Sequence, residues 1–186
     1  MIDHIRQRHR GETRVACAYF FFDSRNAETE RSLHDKMLRS LIRQLSRQSG
    51  GVPAPLMQLY DGGYEKPPLT SLQQTLHTII AGFERTYIIL DALDECTDRS
   101  RLLSWIVDLL QKNLDQLRIL FSSRREHDIE QHFENVSSIS RLSLAGPSID
   151  ADIESYVDAM ISEISRWNEG TRTRVKHVLM EGADGM

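Results

Sequence analysis

The sequence has few cysteines, no long apolar run and no excess of positive charge. Its two cysteines, Cys17 and Cys96, are far apart, so we expect buried free thiols and not a disulfide framework. No stretch approaches the roughly 18 consecutive apolar residues of a membrane span, and the basic N-terminus lacks the apolar core of a signal peptide. We therefore expect an intracellular, cytoplasmic protein with no membrane partner. The net charge of -4 argues against a general nucleic-acid binder.

Two chemical patterns are also missing. The seven histidines are never combined with cysteine or an acid at a spacing typical of a metal site, so we expect surface or packing roles for them. No lysine follows a glycine, because the four lysines follow Asp, Glu, Gln and Val, at Lys36, Lys66, Lys112 and Lys176. The phosphate loop of many nucleotide hydrolases ends in Gly-Lys. The chain therefore contains no phosphate loop of that kind.

The apolar pattern predicts an α/β fold, in one domain or in one domain with an extension. Short continuous apolar runs predict four strands, at 15–22, 87–90, 117–122 and 139–144. Serine and arginine interrupt the fourth, which places it at an edge or on a partly solvated face. Helical spacing predicts the end of a helix at 1–10 and helices at 29–48, 71–83, 102–110, around 129–133, from 148 or 150 to 167, and at 171–180. The segment 50–68 holds four of the five prolines and predicts a loop with one helical turn.

Three acids follow the second predicted strand at once: Asp91, Asp94 and Glu95. A run such as Tyr-Ile-Ile-Leu suits a strand buried on both faces of a parallel sheet, and such sheets bind ligands at the carboxyl ends of their strands. This arrangement is typical of nucleotide hydrolysis, in which Asp91 would hold Mg²⁺ and Glu95 or Asp94 would orient the attacking water. The alternative is an Asp-rich turn that caps the next helix.

The third predicted strand is followed by Ser-Ser-Arg, ending at Arg124. Strand, helix and strand in this short length form a βαβ unit, so the second and third strands should be parallel. Arg124 would then leave the sheet at the same edge as Asp91. An arginine there can contact a terminal phosphate, or it can form a salt bridge with one of the three acids.

Five segments together resemble the NACHT-type NTPase domain of the signal-transducing STAND class, in its nephrocystin-like N-terminal form found in fungal multidomain proteins. They are Ala18–Phe22, Leu38–Leu45, Tyr87–Cys96, Leu120–Arg124 and Asp152–Val157. The resemblance implies a three-layer P-loop NTPase fold with a mostly parallel sheet, and a switch that binds ATP or GTP with Mg²⁺ and oligomerises. It assigns Asp91 to magnesium, Asp94 and Glu95 to water activation, and Arg124 to sensing the terminal phosphate.

The chain departs from that family pattern at the phosphate loop, G-x-x-x-x-G-K-S/T, which is absent. We therefore expect residues 1–146 to be a truncated NTPase core without its first strand and loop, and residues 147–186 to begin a helical extension. In the family's sheet the missing strand lies between those at 117–122 and 139–144. Its absence should leave two inner edges unpaired.

These features favour a piece of a nucleotide-dependent signalling switch that is not an active NTPase alone. Mg²⁺ and ATP or GTP belong to the complete domain, and this chain should bind neither tightly. The expected partners are nucleotide, if a phosphate loop is supplied, and further copies or full-length relatives. The alternative is a non-catalytic interaction module that associates with such relatives through apolar helices. A third hypothesis is a metal-dependent phosphohydrolase that uses the acids without a phosphate loop.

Overall fold

A computed structural model of the chain describes residues 1–23, 33–60, 66–112, 114–143 and 147–183. The chain divides into two compact units, residues 1–138 and 139–186. The elements of the first unit are α1 (Ile2–Arg8), β1 (Val15–Phe21), α2 (Leu33–Gln48), α3 (Ala54–Tyr60), α4 (Leu69–Ala81), β2 (Arg85–Asp91), a 3-10 turn (Leu93–Glu95), α5 (Arg99–Gln111), β3 (Leu117–Phe121) and α6 (His127–Phe133). The second unit contains α7 (Pro147–Ser162) and α8 (Glu169–Ala183). Among the described helices none is long and apolar enough to span a membrane.

The three strands form a parallel sheet in the order β1-β2-β3. The predicted strands at 15–22, 87–90 and 117–122 are thereby confirmed, and so is the parallel βαβ unit. β2 is the central strand, and Ile88, Ile89 and Leu90 are all buried within it. A strand with neighbours on both sides and cover on both faces needs a continuous apolar run. The α/β fold class predicted from that run is correct.

The fourth predicted strand is wrong over the residues that the structure describes. Residues 139–143 are not in a strand, Leu142 is 85% exposed, and residues 144–146 lie outside the described part. β3 pairs with β2 on one side, and no strand in the described ranges pairs with its other side. An isolated segment gains no ladder hydrogen bonds, so its few apolar residues cannot make it a strand.

Several predicted helix boundaries also change. The helix predicted at 29–48 is found at Leu33–Gln48, with residues 29–32 outside the described part. The helix predicted to reach Trp167 ends at Ser162, whose hydroxyl donates to the carbonyl of Ala159 (2.6 Å). Such a side-chain bond competes with the helical hydrogen bonds of the last turn. The next helix, α8, begins earlier than predicted because the side chain of Asn168 accepts the N–H of Thr171 (2.8 Å).

The outer edge of β1 is closed by two glutamines of α2. The side-chain amide of Gln44 donates to the carbonyl of Tyr19 (2.7 Å) and its oxygen accepts the N–H of Tyr19 (3.1 Å). Gln48 makes the same pair of bonds with Cys17, both at 3.0 Å. The two amides imitate a neighbouring strand, because residues four apart on a helix lie on one face. The outward-facing backbone groups of Cys17 and Tyr19 are therefore satisfied without another strand.

We expect Gln44→Met to lower the free energy of unfolding by about 1 to 2 kcal/mol, because it keeps the side-chain length but leaves two backbone groups of Tyr19 without partners. Urea denaturation measures this, and hydrogen exchange at the Tyr19 amide should accelerate. Gln74→Met, at an exposed position on α4, is the matched control and should change stability little. Equal stabilities for the two variants would contradict the edge-closing role.

A buried histidine makes the stability of the first unit dependent on pH. His34 is fully buried beside the Trp105 ring (5.5 Å between centroids), and neither ring nitrogen has a hydrogen-bond partner. Burial lowers the pKa of His34 from 6.5 to about 4. The unfolded chain therefore takes up a proton near pH 6.5, whereas the folded chain does so only near pH 4. The free energy of unfolding falls as pH is lowered across that interval.

This effect should cost about 3 kcal/mol between pH 7 and pH 4, at roughly 1.4 kcal/mol per unit of pKa difference. Acids also titrate in this range, so the test compares variants. Urea midpoints of His34→Leu should fall less steeply with pH than those of the parent chain. His4→Leu, in the exposed part of α1, is the control and should follow the parent. The same pH profile for His34→Leu and the parent would rule out His34 as the cause.

Candidate functional site

The carboxyl ends of β2 and β3 are joined by one side-chain contact. Leu90 and Phe121 are partners in the sheet, so the next residues lie side by side: Asp91, the last residue of β2, and Ser122, the first residue after β3. The hydroxyl of Ser122 donates a short hydrogen bond to Oδ1 of Asp91 and accepts the N–H of Ala92 (3.1 Å). Two backbone bonds at 3.0 Å, from Ser122 to Leu90 and from Leu93 to Ser122, extend the pairing past the strands. The carboxylate of Asp91 is thus held in one orientation.

The turn after β2 depends on a left-handed residue. Ala92 has φ 58° and ψ 56°, and among the described residues it alone, apart from glycine, has a positive φ. This conformation costs on the order of 1 to 2 kcal/mol for a residue with a Cβ. The bond from the Ala92 N–H to Ser122 and the bond from the Glu95 N–H to the Ala92 carbonyl (3.0 Å) hold it in place. The turn buries Leu93 completely and directs Asp94 toward the end of β3.

Asp94 holds the segment that follows β3. Its Oδ1 accepts the backbone N–H of Arg124 (3.0 Å), and its Oδ2 lies 3.6 Å from Nε of the same residue. The Asp94 side chain is 10% exposed, whereas that of Arg124 is 69% exposed. The predicted salt bridge of Arg124 to one of the three acids is therefore formed with Asp94. Asp91, Asp94, Ser122 and Arg124 together are called the strand-end site below.

A cavity of about 620 Å³ lies next to the strand-end site. Arg99 crosses between its walls: Nη1 donates to the backbone carbonyl of Asp94 (3.4 Å), and Nε pairs with Asp128 (2.9 Å). Four acids and two arginines line the cavity: Asp94, Glu95, Glu126, Asp128, Arg99 and Arg124. Their formal charge is negative, so the cavity by itself does not attract an anion.

The structure brings the predicted site residues to one edge but separates them into two places. Asp94, Glu95 and Arg124 line the cavity, whereas Asp91 does not and is bonded to Ser122. Sequence reasoning missed Ser122. The signal that could have found it is its position, since it comes directly after β3 and aligns with Asp91, the last residue of β2.

The residues present fit a magnesium ion only in part. Among the described residues no group of three or more His, Cys, Asp or Glu side chains could hold a metal. Asp91, half-buried and oriented by Ser122, offers one carboxylate. Mg²⁺ commonly keeps several waters and takes one or two carboxylates together with oxygens of a bound phosphate. The strand-end site matches the carboxylate part of such a set and does not form a complete protein cage.

Comparisons with known proteins identify the family of the chain. The sequence model of the family "Nephrocystin 3, N-terminal" matches residues 1–124, a range that ends at Arg124 of the strand-end site. The vegetative incompatibility protein HET-E-1 of Podospora anserina is 29% identical over 139 residues, which are 69% of this chain and 10% of that protein. The chain thus spans about a tenth of this relative's length. No solved structure matched the chain. The match to the family covers well over half of the sequence, and the chain belongs to the nephrocystin 3 N-terminal family.

Proposed function

We propose that the chain is the magnesium-binding and phosphate-sensing part of a nucleotide-dependent signalling switch of the NACHT type, with a P-loop NTPase core. The observation that carries this proposal is the joined ends of β2 and β3. They place an oriented carboxylate, Asp91, and an exposed arginine, Arg124, at the edge of a parallel sheet where ligands bind. The family match and the similarity to a fungal incompatibility protein support a role in signalling.

Asp91 is the residue proposed to face the magnesium ion. The bound ion would neutralise phosphate charge in ATP or GTP, and Asp91 would position it, directly or through water. The Ser122 hydroxyl keeps the carboxylate of Asp91 turned toward the end of the sheet. This support removes the need for Asp91 to become ordered when the ion binds.

Arg124 is the residue proposed to respond to the terminal phosphate. Its side chain is 69% exposed and lies 3.6 Å from Asp94. Such an exposed ion pair is worth about 1 kcal/mol or less. A phosphate group can therefore compete for the guanidinium, and loss of the phosphate returns Arg124 to Asp94. The backbone bond from Arg124 to Asp94 need not break during this exchange, so the segment stays attached to the turn after β2.

Glu95 is the better candidate for orienting an attacking water, and Asp94 the better candidate for a positioning role. Both oxygens of Asp94 face Arg124, and its side chain is almost buried. Glu95 lines the cavity one residue further along the turn and is half-buried. A water-orienting acid must reach the space that the nucleotide occupies. Of the two acids, Glu95 fits that requirement better.

The phosphate-binding part must come from outside these 186 residues. No Gly-Lys pair is present in the sequence, and the cavity has an excess of acids over arginines. A phosphate loop supplies backbone N–H groups and a lysine that hold the β- and γ-phosphates. Without them Asp91 and Arg124 contact only part of the ligand.

We expect this chain alone to bind Mg²⁺-ATP or Mg²⁺-GTP no better than about millimolar, or roughly 4 kcal/mol. Placing a strand and phosphate loop from a relative ahead of Met1 should give micromolar binding in calorimetry. In that fusion Asp91→Asn should weaken Mg²⁺-dependent binding about tenfold, whereas Asp108→Asn, at an exposed position on α5, should not. Glu95→Gln should leave binding intact and slow hydrolysis by about a hundredfold, since water positioning acts in the transition state.

Two results would count against these assignments. Low-micromolar binding by the chain alone would show that a phosphate loop is not required. Hydrolysis by the Glu95→Gln fusion at the rate of the matched Glu134→Gln control, an exposed residue after α6, would remove Glu95 from the reaction and return the role to Asp94.

A second candidate function, a non-catalytic interaction module, is favoured by the outer edge of β3. Ser122 donates to Leu90 and Gln116 accepts from Thr86, so alternate residues of β3 face β2. The backbone groups of Ile119 and Phe121 then face outward, where no strand of the described part pairs with them. A strand from another copy or from a full-length relative would satisfy them.

If the edge accepts a strand, the chain alone should self-associate in analytical ultracentrifugation. Ile119→Pro should reduce that association, because proline removes an outward-facing N–H and spares the bonds to β2. Leu120→Pro removes an inward-facing N–H and should instead destabilise the fold. A sharp monomer with strongly protected Ile119 and Phe121 amides in hydrogen exchange would show that the edge is already satisfied.

A further inference from the structure

A groove in the first unit, lined by none of the strand-end residues, has features of a recognition surface. It lies among α2, α3 and α4 and has a volume of about 600 Å³. Its apolar lining comes from all three helices and from the segment between α2 and α3: Ile42, Val52, Leu56, Leu59 and Leu72. Val52 is 66% exposed and Leu56 and Leu59 are partly exposed, whereas Ile42 and Leu72 are buried. The part of the apolar surface that is open to solvent is therefore formed by Val52, Leu56 and Leu59. Arg39, Arg43 and Arg47 line the same space, which we call the arginine groove.

The three arginines form one row on α2. They are spaced four residues apart, so they lie on one face of the helix and extend over about 12 Å. Arg39 is already neutralised, since its Nε pairs with Asp35 (2.9 Å). Arg43 and Arg47 are exposed, and the part of the chain described by the structure gives neither of them an acidic partner. Within the described residues, two positive charges without an acidic partner therefore lie beside an apolar surface.

This concentration of positive charge is local. The whole chain has a net charge of -4, yet the described residues that line the arginine groove include three arginines and no acid. The hydroxyl oxygen of Ser46, between Arg43 and Arg47 in sequence and also in the lining, is buried and has no hydrogen-bond partner. Buried polar atoms in folded proteins are normally bonded. A polar ligand group next to Ser46 would remove this deficit.

We propose that the arginine groove binds an acidic amphipathic helix of a partner protein. An apolar stripe of such a helix would occupy the surface formed by Val52, Leu56 and Leu59, as in other helix-in-groove complexes. Acids four residues apart along the partner match Arg43 and Arg47, because both rows have the same rise per turn. This inference goes beyond the nucleotide proposal and does not depend on it, since no residue of the strand-end site lines the groove.

The groove favours a helix over a small anion for a geometric reason. Its three arginines form a row along α2, and its apolar lining comes from three helices and the segment between α2 and α3, so the groove offers both a charged row and an apolar surface. An amphipathic helix presents the same two stripes in parallel. A compact anion would contact one guanidinium and leave the apolar surface exposed.

The test uses the full chain and a rhodamine-labelled 16-residue peptide of leucine, alanine and glutamate, with leucines on one face and glutamates four apart along its flank. Fluorescence anisotropy should show saturable binding. The double variant Arg43→Glu/Arg47→Glu should weaken it at least tenfold, and Val52→Ser about threefold. Arg8→Glu/Arg174→Glu makes the same charge change at exposed positions outside the groove and should bind like the parent. In hydrogen exchange, the peptide should protect residues 43–59.

Each other outcome would overturn the proposal. Equal binding of a scrambled peptide, or of one with lysine in place of glutamate, would show that neither stripe is recognised. Undiminished binding to Arg43→Glu/Arg47→Glu, with an unchanged circular dichroism spectrum, would show that the two arginines do not contribute to peptide binding. Tighter competition by oleate than by the peptide would make a small amphiphile the ligand. Self-association abolished by the same double variant would make a second copy the occupant.

Discussion

The central position of β2 between two parallel neighbours is the constraint on which the rest of the first unit depends. Ile88 and Leu90 are each 1% exposed, so a charged side chain in the middle of this strand would be cut off from solvent. Its acids can appear only where it leaves the sheet. There the chain turns through the left-handed Ala92, and bonds from the neighbouring strand hold the turn. The position of the strand-end site is thus a consequence of burial.

The two edges of the sheet differ in whether their outward-facing backbone groups have hydrogen-bond partners, and the difference bears on function. At the edge of β1, Gln44 and Gln48 satisfy the outward-facing backbone groups of Tyr19 and Cys17 from within the chain. At β3 no described strand or glutamine pair does so. Closing one edge directs any added strand to the other. That other edge adjoins Ser122 and Arg124, so a strand added there would end beside the strand-end site if it ran parallel to β3.

The cavity beside the strand-end site and the arginine groove differ in whether their arginines have acidic partners. Around the cavity the arginines are paired, Arg124 with Asp94 and Arg99 with Asp128. In the arginine groove two arginines have no acid within the described residues. The paired set can exchange partners at low cost when a phosphate arrives, because exposed ion pairs contribute little. The unpaired set has no such partner in the part of the chain that the structure describes, and this favours an acidic ligand.

The sequence by itself determined the α/β class, the three strands and the edge at which Asp91, Asp94, Glu95 and Arg124 would meet. These follow from local patterns, because a buried parallel strand needs a continuous apolar run and its ligand-facing residues come directly after it. The membership of the family could likewise be recognised from short segments and their order. The absence of Gly-Lys needed no structure either.

Only the tertiary structure decided how those residues divide their roles. The hydroxyl of Ser122 reaches Asp91 because the register of β2 and β3 aligns them, and register is not encoded in either strand alone. Asp94 and not Glu95 holds Arg124 because the left-handed Ala92 sets the direction of the turn. Residues 139–143 looked like a strand by composition, but a strand also needs a hydrogen-bonding neighbour. Pairing is a property of two distant segments, so a single segment's sequence cannot decide it.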